Sequence, residues 1–205
     1  MIILGFEGLD KSGKRTQSEL LHQSLYERGF EVVKSEFHNY SSPTGQLIRK
    51  FLDGEYQPNQ LAIEAIMAAD KYAQLDWFNE LAEKTDVLIL DRYLTSQCVY
   101  SHANGIDIDF TTNMLQYMPP ADFQFYLDIE AEESMKRKGE HGENDLYESN
   151  LDLLNKARQL YLKYMHLEVL DNKGMILDAT KTPQDLHSLI LDRTLSLLGK
   201  EVQEA

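Results

Sequence analysis

Residues 2–17 read IILGFEGLDKSGKRTQ and decide which fold the sequence favours. A short apolar run ends in a loop with the spacing Gly8-x-x-x-x-Gly13-Lys14. An apolar strand, a glycine turn and a lysine at the mouth of a helix allow consecutive backbone N–H groups to surround a phosphate, and the helix dipole adds positive potential. This stretch therefore predicts a phosphate-binding loop; the alternative is a glycine-rich surface turn with a solvated lysine.

One position of this loop departs from the usual pattern. Arg15 occupies the position at which the motif has a Ser or Thr whose hydroxyl holds Mg²⁺. The nearest hydroxyl, that of Thr16, is one position further along the chain. The loop alone therefore leaves open which side chain would hold a metal beside the phosphates.

Composition and charge narrow the class of protein. The chain has 205 residues, 42% hydrophobic and 26% charged, which is typical of a globular protein, and we expect a single domain over residues 1–205. The formal net charge of −14 argues against nucleic acid or an anionic membrane surface as a partner, because the summed field would repel both. A single cysteine, Cys98, excludes an intramolecular disulfide. We find neither an 18-residue apolar run nor a signal peptide, and we expect a cytoplasmic location.

Strand-like and helix-like segments alternate along the chain, which is the pattern of an α/β protein with a parallel sheet and helices on its faces. Strands are predicted at residues 2–6, 30–37, 86–90, 123–129 and 175–177, and helices at 13–28, 58–83 and after Thr182-Pro183. The segment 58–83 carries apolar residues on more than one helical face, so another surface must cover part of it. Tyr161, Tyr164 and Met165 recur at helical spacing and are interpreted as core.

Asp91 and Arg92 directly follow the apolar strand at 86–90. Ligands of an open parallel sheet bind outside the carboxyl ends of its strands, so both side chains should face the same cavity as Lys14. The carboxylate could orient hydrated Mg²⁺, and the guanidinium could grip a phosphate through two hydrogen bonds. A structural ion pair that closes the strand is the competing interpretation.

Two loops have compositions that suit anion binding. Residues 136–148, KRKGEHGENDLYE, place three cations before a glycine-broken acidic segment, which fits a mobile lid over phosphates but also an ordinary solvated loop. Residues 38–45, HNYSSPTG, contain Tyr40, Ser41 and Ser42, whose hydroxyls could bind a second anion.

The chain resembles the thymidylate kinases over nearly its whole length. The resemblance rests on FEGLDKSGK at 6–14, LDRYLTSQCVYS at 90–101, PADFQFYLDI at 120–129, KRKG at 136–139, YE at 147–148 and LDAT at 177–180. It implies a P-loop kinase fold with a five-stranded parallel sheet, helices on both faces and a mobile lid at about 136–148. It also implies a homodimer, formed through the helix at 58–83, that uses ATP and Mg²⁺ to phosphorylate a deoxypyrimidine monophosphate, above all deoxythymidine monophosphate (dTMP).

The resemblance assigns individual residues to catalysis, to ATP, to the acceptor and to the metal. The catalytic residues would be Lys14, Arg92, Asp10, Lys11 and Asp91. The ATP site would comprise Gly8, Asp10, Lys11, Ser12, Gly13, Lys14, Arg15, Thr16, Arg137 and Ala179. The acceptor site would comprise Asp10, Tyr40, Met67, Lys71, Arg92, Ser96, Gln97, Tyr100 and Tyr147. Asp91 and Thr16 would be the metal ligands. In this scheme Arg92 clamps the acceptor phosphate, and the bulk of the Tyr100 ring disfavours ribonucleotides.

Several positions differ from the family's pattern. Met67 takes the place of a phenylalanine that stacks on thymine, and Lys71 that of an arginine near the base carbonyl, so we expect a looser or altered base pocket. His38 and Asn39 replace the usual residues of the acceptor-phosphate loop, and Leu146 replaces an arginine of the lid.

Two functional hypotheses remain open at this point. The first is an active kinase for dTMP, dUMP or another deoxypyrimidine monophosphate, in which Thr16, Asp91 and water hold the metal or Arg15 partly substitutes for it. The second is a nucleotide-binding protein that has lost catalysis through Arg15. A comparison of the wild type with Arg15→Thr separates the two.

Overall fold

The computed structural model describes residues 1–137, 145–165 and 173–199. The strands are β1 Ile2–Gly8, β2 Val32–Glu36, β3 Val87–Asp91, β4 Phe123–Asp128 and β5 Gly174–Asp178. The helices are α1 Lys14–Tyr26, α2 Pro43–Leu52, α3 Gln60–Tyr72, α4 Leu75–Ala82, α5 Leu94–Ala103, α6 Ile108–Leu115, α7 Ala131–Lys136, α8 Leu151–Met165 and α9 Pro183–Leu197. The alternation of strands and helices confirms the predicted α/β class.

The strands form one parallel sheet of five in the order β2-β3-β1-β4-β5, as the resemblance implied. The central strand β1 lies between β3 and β4, with Phe6 beside Asp91 and Gly8 beside Leu127. The loop after β1 therefore starts next to the carboxyl ends of both neighbouring strands, which is where ligands of such sheets bind.

Helices cover both faces of the sheet. Alternate residues of a strand point to opposite faces. Leu4 and Phe6 of β1 are buried in the larger core cluster together with Leu21 of α1, whereas Ile3 belongs to a second cluster with Phe78 of α4. Burial on both sides explains why β1 and β3 are continuous apolar runs without alternation.

The prediction of one continuous helix at 58–83 is wrong. A turn at residues 73–74 separates α3 from α4, and the Gln74 side chain donates a hydrogen bond to the Asp70 carbonyl within it (3.2 Å). The turn lets Phe78 of α4 stack near Phe37, which directly follows β2, with 6.4 Å between ring centroids. The apolar excess of this segment is thus divided between two helices, one of which packs directly on the sheet.

Two loop predictions are refined by the structure. Helix α2 begins at Pro43, inside the predicted loop at 38–45, because Ser42 caps it by accepting the Gly45 N–H (2.8 Å) and proline suits the first helical turn. Of the predicted lid at 136–148, residues 138–144 lie outside the described residues. The single-domain organisation and the lid stay predictions.

Candidate active site

The loop between β1 and α1 has the backbone of a phosphate cradle. Gly8 has a φ of +149°, and a Cβ atom there would lie 2.7 Å from the Leu127 carbonyl oxygen, so only glycine fits. Gly13 also has a positive φ, of 100°, at the start of α1. The Lys14 ammonium is buried and donates to the Leu9 carbonyl (2.9 Å), so it closes over its own loop. Burial and the nearby Arg92 charge lower the pKa of Lys14.

The turn after β3 is joined to this loop by an ion pair. The Arg92 N–H donates to the Phe6 carbonyl of β1 (2.9 Å), and Nη2 of Arg92 donates to Oδ1 of Asp10 (2.6 Å). Burial works against the charge of Asp10, but Arg92 and then Lys14 outweigh it and lower the pKa of this carboxyl. The structure thus brings Arg92 to the loop of Lys14, as the sequence predicted for the carboxyl ends of β1 and β3, and the ion pair adds Asp10, which only the resemblance had assigned to the site. Asp91 ends β3, and its charge acts on both Lys14 and Arg92.

A buried polar network beneath Arg92 was missed in the sequence. Glu7 is fully buried and accepts hydrogen bonds from the Tyr93 N–H (3.0 Å) and from the Ser96 hydroxyl. The Tyr161 hydroxyl lies 2.7 Å from the Ser96 hydroxyl. The interpretation of Tyr161 as core only is therefore incomplete, because its ring is buried but its hydroxyl belongs to the site. Glu7 lies within the quoted stretch 6–14, so an acidic residue inside an apolar strand was the available signal.

A second group of residues surrounds the space expected for the acceptor base. The Lys71 ammonium donates to Oε1 of Gln97 (2.8 Å), and Nε2 of Gln97 donates to the Glu64 carbonyl (3.1 Å). Lys71 is 1% exposed, and burial lowers its pKa to about 8. Met67 packs in a small apolar cluster with Phe51 and other residues of α2 and α3. The buried Lys71 of α3 therefore fixes the side-chain oxygen of Gln97 on α5.

Aromatic rings form the wall of the same region. The rings of Tyr100 and Tyr147 are parallel, with centroids 5.4 Å apart, and the Arg92 guanidinium lies 5.4 Å from the Tyr100 ring centroid. Tyr40 is half-exposed, and the Arg49 guanidinium lies 5.8 Å from its ring centroid. Arg49 was not singled out in the sequence, because a lone arginine on an amphipathic helix carries no signal of its own.

The loop before α2 is held by Asp70, another residue that sequence reasoning missed. The Asp70 carboxylate accepts the Asn39 N–H (3.1 Å) and the hydroxyls of Ser42 (2.6 Å) and Thr44 (2.8 Å), and its other contact is the His38 ring (3.2 Å). Burial lowers the pKa of His38 to about 4, although the hydrogen bond to Asp70 opposes the shift. The loop that carries Tyr40 is thus fixed from α3.

On the opposite flank, α7 is attached to the phosphate loop. The Ser134 hydroxyl donates to the Asp10 carbonyl (2.7 Å). Arg137 donates to the carbonyls of Lys11 (3.3 Å) and Ala179 (3.1 Å), so it bridges the phosphate loop and the loop after β5. This position agrees with the prediction that Arg137 and Ala179 lie on the same side of the site.

The remaining predicted residues belong to the phosphate loop and the first turn of α1, and they differ in burial. Lys11 forms an ion pair with Glu148 (3.1 Å). Ser12 is buried within the loop, whereas Arg15 and Thr16 are exposed on the first turn of α1, where the Arg15 charge acts on Glu19. Among the described residues no group of three His, Cys, Asp or Glu side chains is arranged to hold a metal ion. A metal here would therefore depend on one or two carboxylates and on the phosphates themselves.

The parallel sheet, the phosphate loop after its central strand and the cationic turn after the neighbouring strand define the class of P-loop nucleotide-binding proteins. The described helices include none that is both long and apolar enough to cross a membrane.

Comparisons with known proteins narrow this class. The family model described as thymidylate kinase matches residues 6–190. A "probable thymidylate kinase" from Methanococcus aeolicus is 32% identical over 195 residues, which cover 93% of this chain and 94% of that protein. The thymidylate kinase of Plasmodium falciparum is 30% identical over 187 residues, covering 91% of this chain and 86% of its own. The solved thymidylate kinase of Candida albicans matches the fold with a TM-score of 0.85 at 23% identity, covering 100% of this chain and 96% of that one. The chain belongs to the thymidylate kinase family.

Proposed function

We propose that the protein transfers the γ-phosphoryl group of ATP to dTMP and releases ADP and dTDP. The observation that carries this proposal is the ion pair of Asp10 and Arg92 (2.6 Å). It holds Arg92, the cation proposed to bind the acceptor phosphate, beside the loop that bears Lys14. Family membership supports the same reaction. The hypothesis of lost catalysis is not favoured, since the Arg15 side chain is exposed on the first turn of α1.

Phosphoryl transfer requires little covalent help from the protein. It requires two phosphates in line and cations around the charge that spreads over the transferred group. In this proposal the backbone N–H groups of residues 8–14 and the Lys14 ammonium bind the donor phosphates. Arg92 binds the acceptor phosphate, and Lys11 neutralises the transferred group after leaving Glu148.

Mg²⁺ fits the chemistry of this site as a partner of ATP. Asp91 and Asp10 supply carboxylates beside Lys14, and Mg²⁺ in nucleotide sites needs only one or two protein oxygens besides phosphates and water. When bound, the ion would neutralise charge on the phosphates. Arg15 and Thr16 are exposed, so we assign the metal to Asp91 rather than to Thr16.

The acceptor is proposed to lie between α2, α3 and α5. Tyr100 and Tyr147 would enclose its sugar, and Gln97 would meet the polar edge of the base, with Lys71 holding the Gln97 oxygen (2.8 Å). Met67 offers a flexible thioether to the face of the base, which tolerates more than one pyrimidine ring.

We also propose a homodimer through α3. Exposed apolar side chains lie on α3, on the first turn of α6 and just after α6: Leu61 is 50% exposed, Phe110 46% and Tyr117 76%. Solvent contact of large apolar side chains is costly, and an interface between two copies would remove it.

The test of the activity is direct. Purified protein, ATP and Mg²⁺ are incubated with dTMP, and separately with dUMP, dCMP and dGMP, and the nucleotides are resolved by chromatography. We expect ADP and dTDP in equal amounts, with dTMP the best acceptor. Absence of turnover on every deoxypyrimidine monophosphate would overturn the proposal.

A further inference from the structure

Glu7 is a fully buried carboxylate that the mechanism above does not use. It lies on β1 next to Gly8, the first residue of the phosphate loop, and its oxygens contact residues at the start of α5 and on α8. Its hydrogen-bond donors are the Tyr93 N–H (3.0 Å) and the Ser96 hydroxyl, and the Tyr161 hydroxyl oxygen lies 3.4 Å from the same carboxylate. Burial raises the pKa of this carboxyl, while Ser96 and Arg92 act in the opposite direction.

The hydrogen bonds of Glu7 fix the direction of two hydroxyl protons. In its ionised form, which the nearby charges of Arg92 and Lys14 favour, the Glu7 carboxylate only accepts, so the Ser96 hydroxyl proton points at Glu7. The hydroxyls of Ser96 and Tyr161 are 2.7 Å apart. Because the proton of Ser96 is already used, Tyr161 must be the donor in this second bond.

Both hydroxyl oxygens consequently present lone pairs to the guanidinium. Nη1 of Arg92 donates to the Ser96 oxygen (3.3 Å) and to the Tyr161 oxygen (3.4 Å), while Nη2 donates to Asp10. Glu7 also holds the backbone next to Arg92, because it accepts the N–H of the following residue, Tyr93. Arg92 itself has a φ of 63°, which residues other than glycine rarely adopt.

We propose that Glu7 is a positioning residue, which aims Arg92 at the acceptor phosphate by setting the polarity of the Ser96 and Tyr161 hydroxyls. A glutamine at position 7 has nearly the same shape, but its NH₂ group donates a hydrogen bond where the carboxylate accepts one. If the NH₂ group of a glutamine faces Ser96, the proton order reverses: Ser96 donates to Tyr161, and the Tyr161 proton is left without its acceptor beside the N–H donors of Arg92. The proposal rests on the proposed function in one respect only: it takes dTMP as the nucleotide whose phosphate Arg92 binds.

The experiment is a cycle of variants. Glu7→Gln is made in the wild type and in a Ser96→Ala/Tyr161→Phe background, and dTMP and ATP affinities are measured by calorimetry. In the wild type we expect dTMP binding to weaken about 10- to 100-fold, with ATP affinity changed less than about twofold. In the second background, where no hydroxyl is left to reverse, Glu7→Gln should weaken dTMP binding by less than about threefold.

Equal losses in the two backgrounds would overturn the proposal, because Glu7 would then act without the hydroxyls. The matched control is Asp122→Asn, since Asp122 is a carboxylate that accepts the Ile3 N–H (2.7 Å) at the opposite end of β1. It should leave both affinities unchanged.

Two further readouts keep the outcome decisive. If Glu7→Gln does not fold, Tyr161→Phe replaces it, and unchanged dTMP affinity in that variant would refute the relay. The Nε–H signal of Arg92 in nitrogen-15 spectra of the ligand-free protein should shift in Glu7→Gln and stay in place in Asp122→Asn. If the wild type does not bind dTMP, the proposed function fails, whereas this signal still decides the role of Glu7.

Discussion

The guanidinium of Arg92 donates to the carboxylate of Asp10 across 2.6 Å, and this bond joins the turn after β3 to the loop after β1. Both side chains are partly exposed, at 20% and 27%, so solvent reaches the pair at the carboxyl ends of β1 and β3. Its position beside Lys14 is the basis of the predictions on catalysis.

Replacing Arg92 by lysine is expected to lower kcat/KM for dTMP by about 100-fold. Lysine keeps the charge but cannot bind Asp10 and a phosphate through a planar fork at the same time. Steady-state kinetics with saturating ATP measure the loss. A change of less than about threefold would remove Arg92 from the acceptor site.

Replacing Lys14 by methionine is expected to lower kcat by at least about 1000-fold. Methionine keeps much of the buried length but removes the ammonium that donates to Leu9 and would bind the donor phosphates. The matched control is Lys34→Met, because Lys34 is a lysine of β2 that pairs with Glu19 far from the loop. Substantial turnover in Lys14→Met would show that the phosphate loop is misassigned.

Arg15→Thr is expected to change kcat by less than about tenfold, since both Arg15 and Thr16 lie on the exposed side of α1. Initial rates at several Mg²⁺ concentrations are the measurement. A gain of more than about 100-fold would instead support a protein whose catalysis had been lost through this arginine. A loss of similar size would give the arginine a catalytic role.

His38 should make stability depend on pH in the weakly acidic range. Burial lowers the pKa of His38 to about 4 in the folded protein, below its ordinary 6.5, so the unfolded chain binds the extra proton between these values. The free energy of unfolding should therefore fall as the pH drops from about 6.5 toward 4, by about 2 kcal/mol from this residue.

The His38 contribution is isolated by comparing the wild type with His38→Asn in urea unfolding at about pH 7 and about pH 4.5. Carboxyls that do not contact His38, such as Glu7, act in both proteins and cancel in the difference. Asp70 contacts His38, but the hydrogen bonds from Ser42, Thr44 and Asn39 also lower its pKa and keep it ionised at both pH values. The stability advantage of the wild type should shrink by about 2 kcal/mol at the lower pH. A constant difference would contradict the assignment of a buried neutral imidazole.

Phe110→Glu is expected to dissociate the proposed dimer. The side chain is 46% exposed on α6, so the variant should fold normally, and a buried charge at an interface is costly. Sedimentation measures the mass of both proteins. A monomeric wild type would refute the dimer.

Much of the fold could be predicted because the sequence marks its strands. The apolar runs of β1 and β3 are buried on both faces, and Gly8 and Lys14 mark the loop between a strand and a helix. The break between α3 and α4 could not be predicted, since neither Ala73 nor Gln74 disfavours a helix. At this break α4 turns to pack on the sheet, a contact that exists only in the folded chain.

The candidate site was predictable where a motif joins residues that are close in sequence, as for Asp91 and Arg92. It was not predictable where buried polar residues come from distant segments. Tyr161 was read as core because helical spacing reports which face is buried and not what a hydroxyl contacts. Glu7 and Asp70 each satisfy donors from other elements, and these donors are known only once the chain has folded.

The central claim is that two nucleotides meet end to end between Lys14 and Arg92. An analogue in which adenosine and deoxythymidine are joined 5′ to 5′ by a chain of phosphates tests it most directly. By calorimetry, we expect it to bind the wild type at least about 100-fold more tightly than dTMP, and to lose most of this gain in Lys14→Met and in Arg92→Lys. An analogue that binds no more tightly than dTMP, or whose affinity either substitution leaves unchanged, would contradict the account.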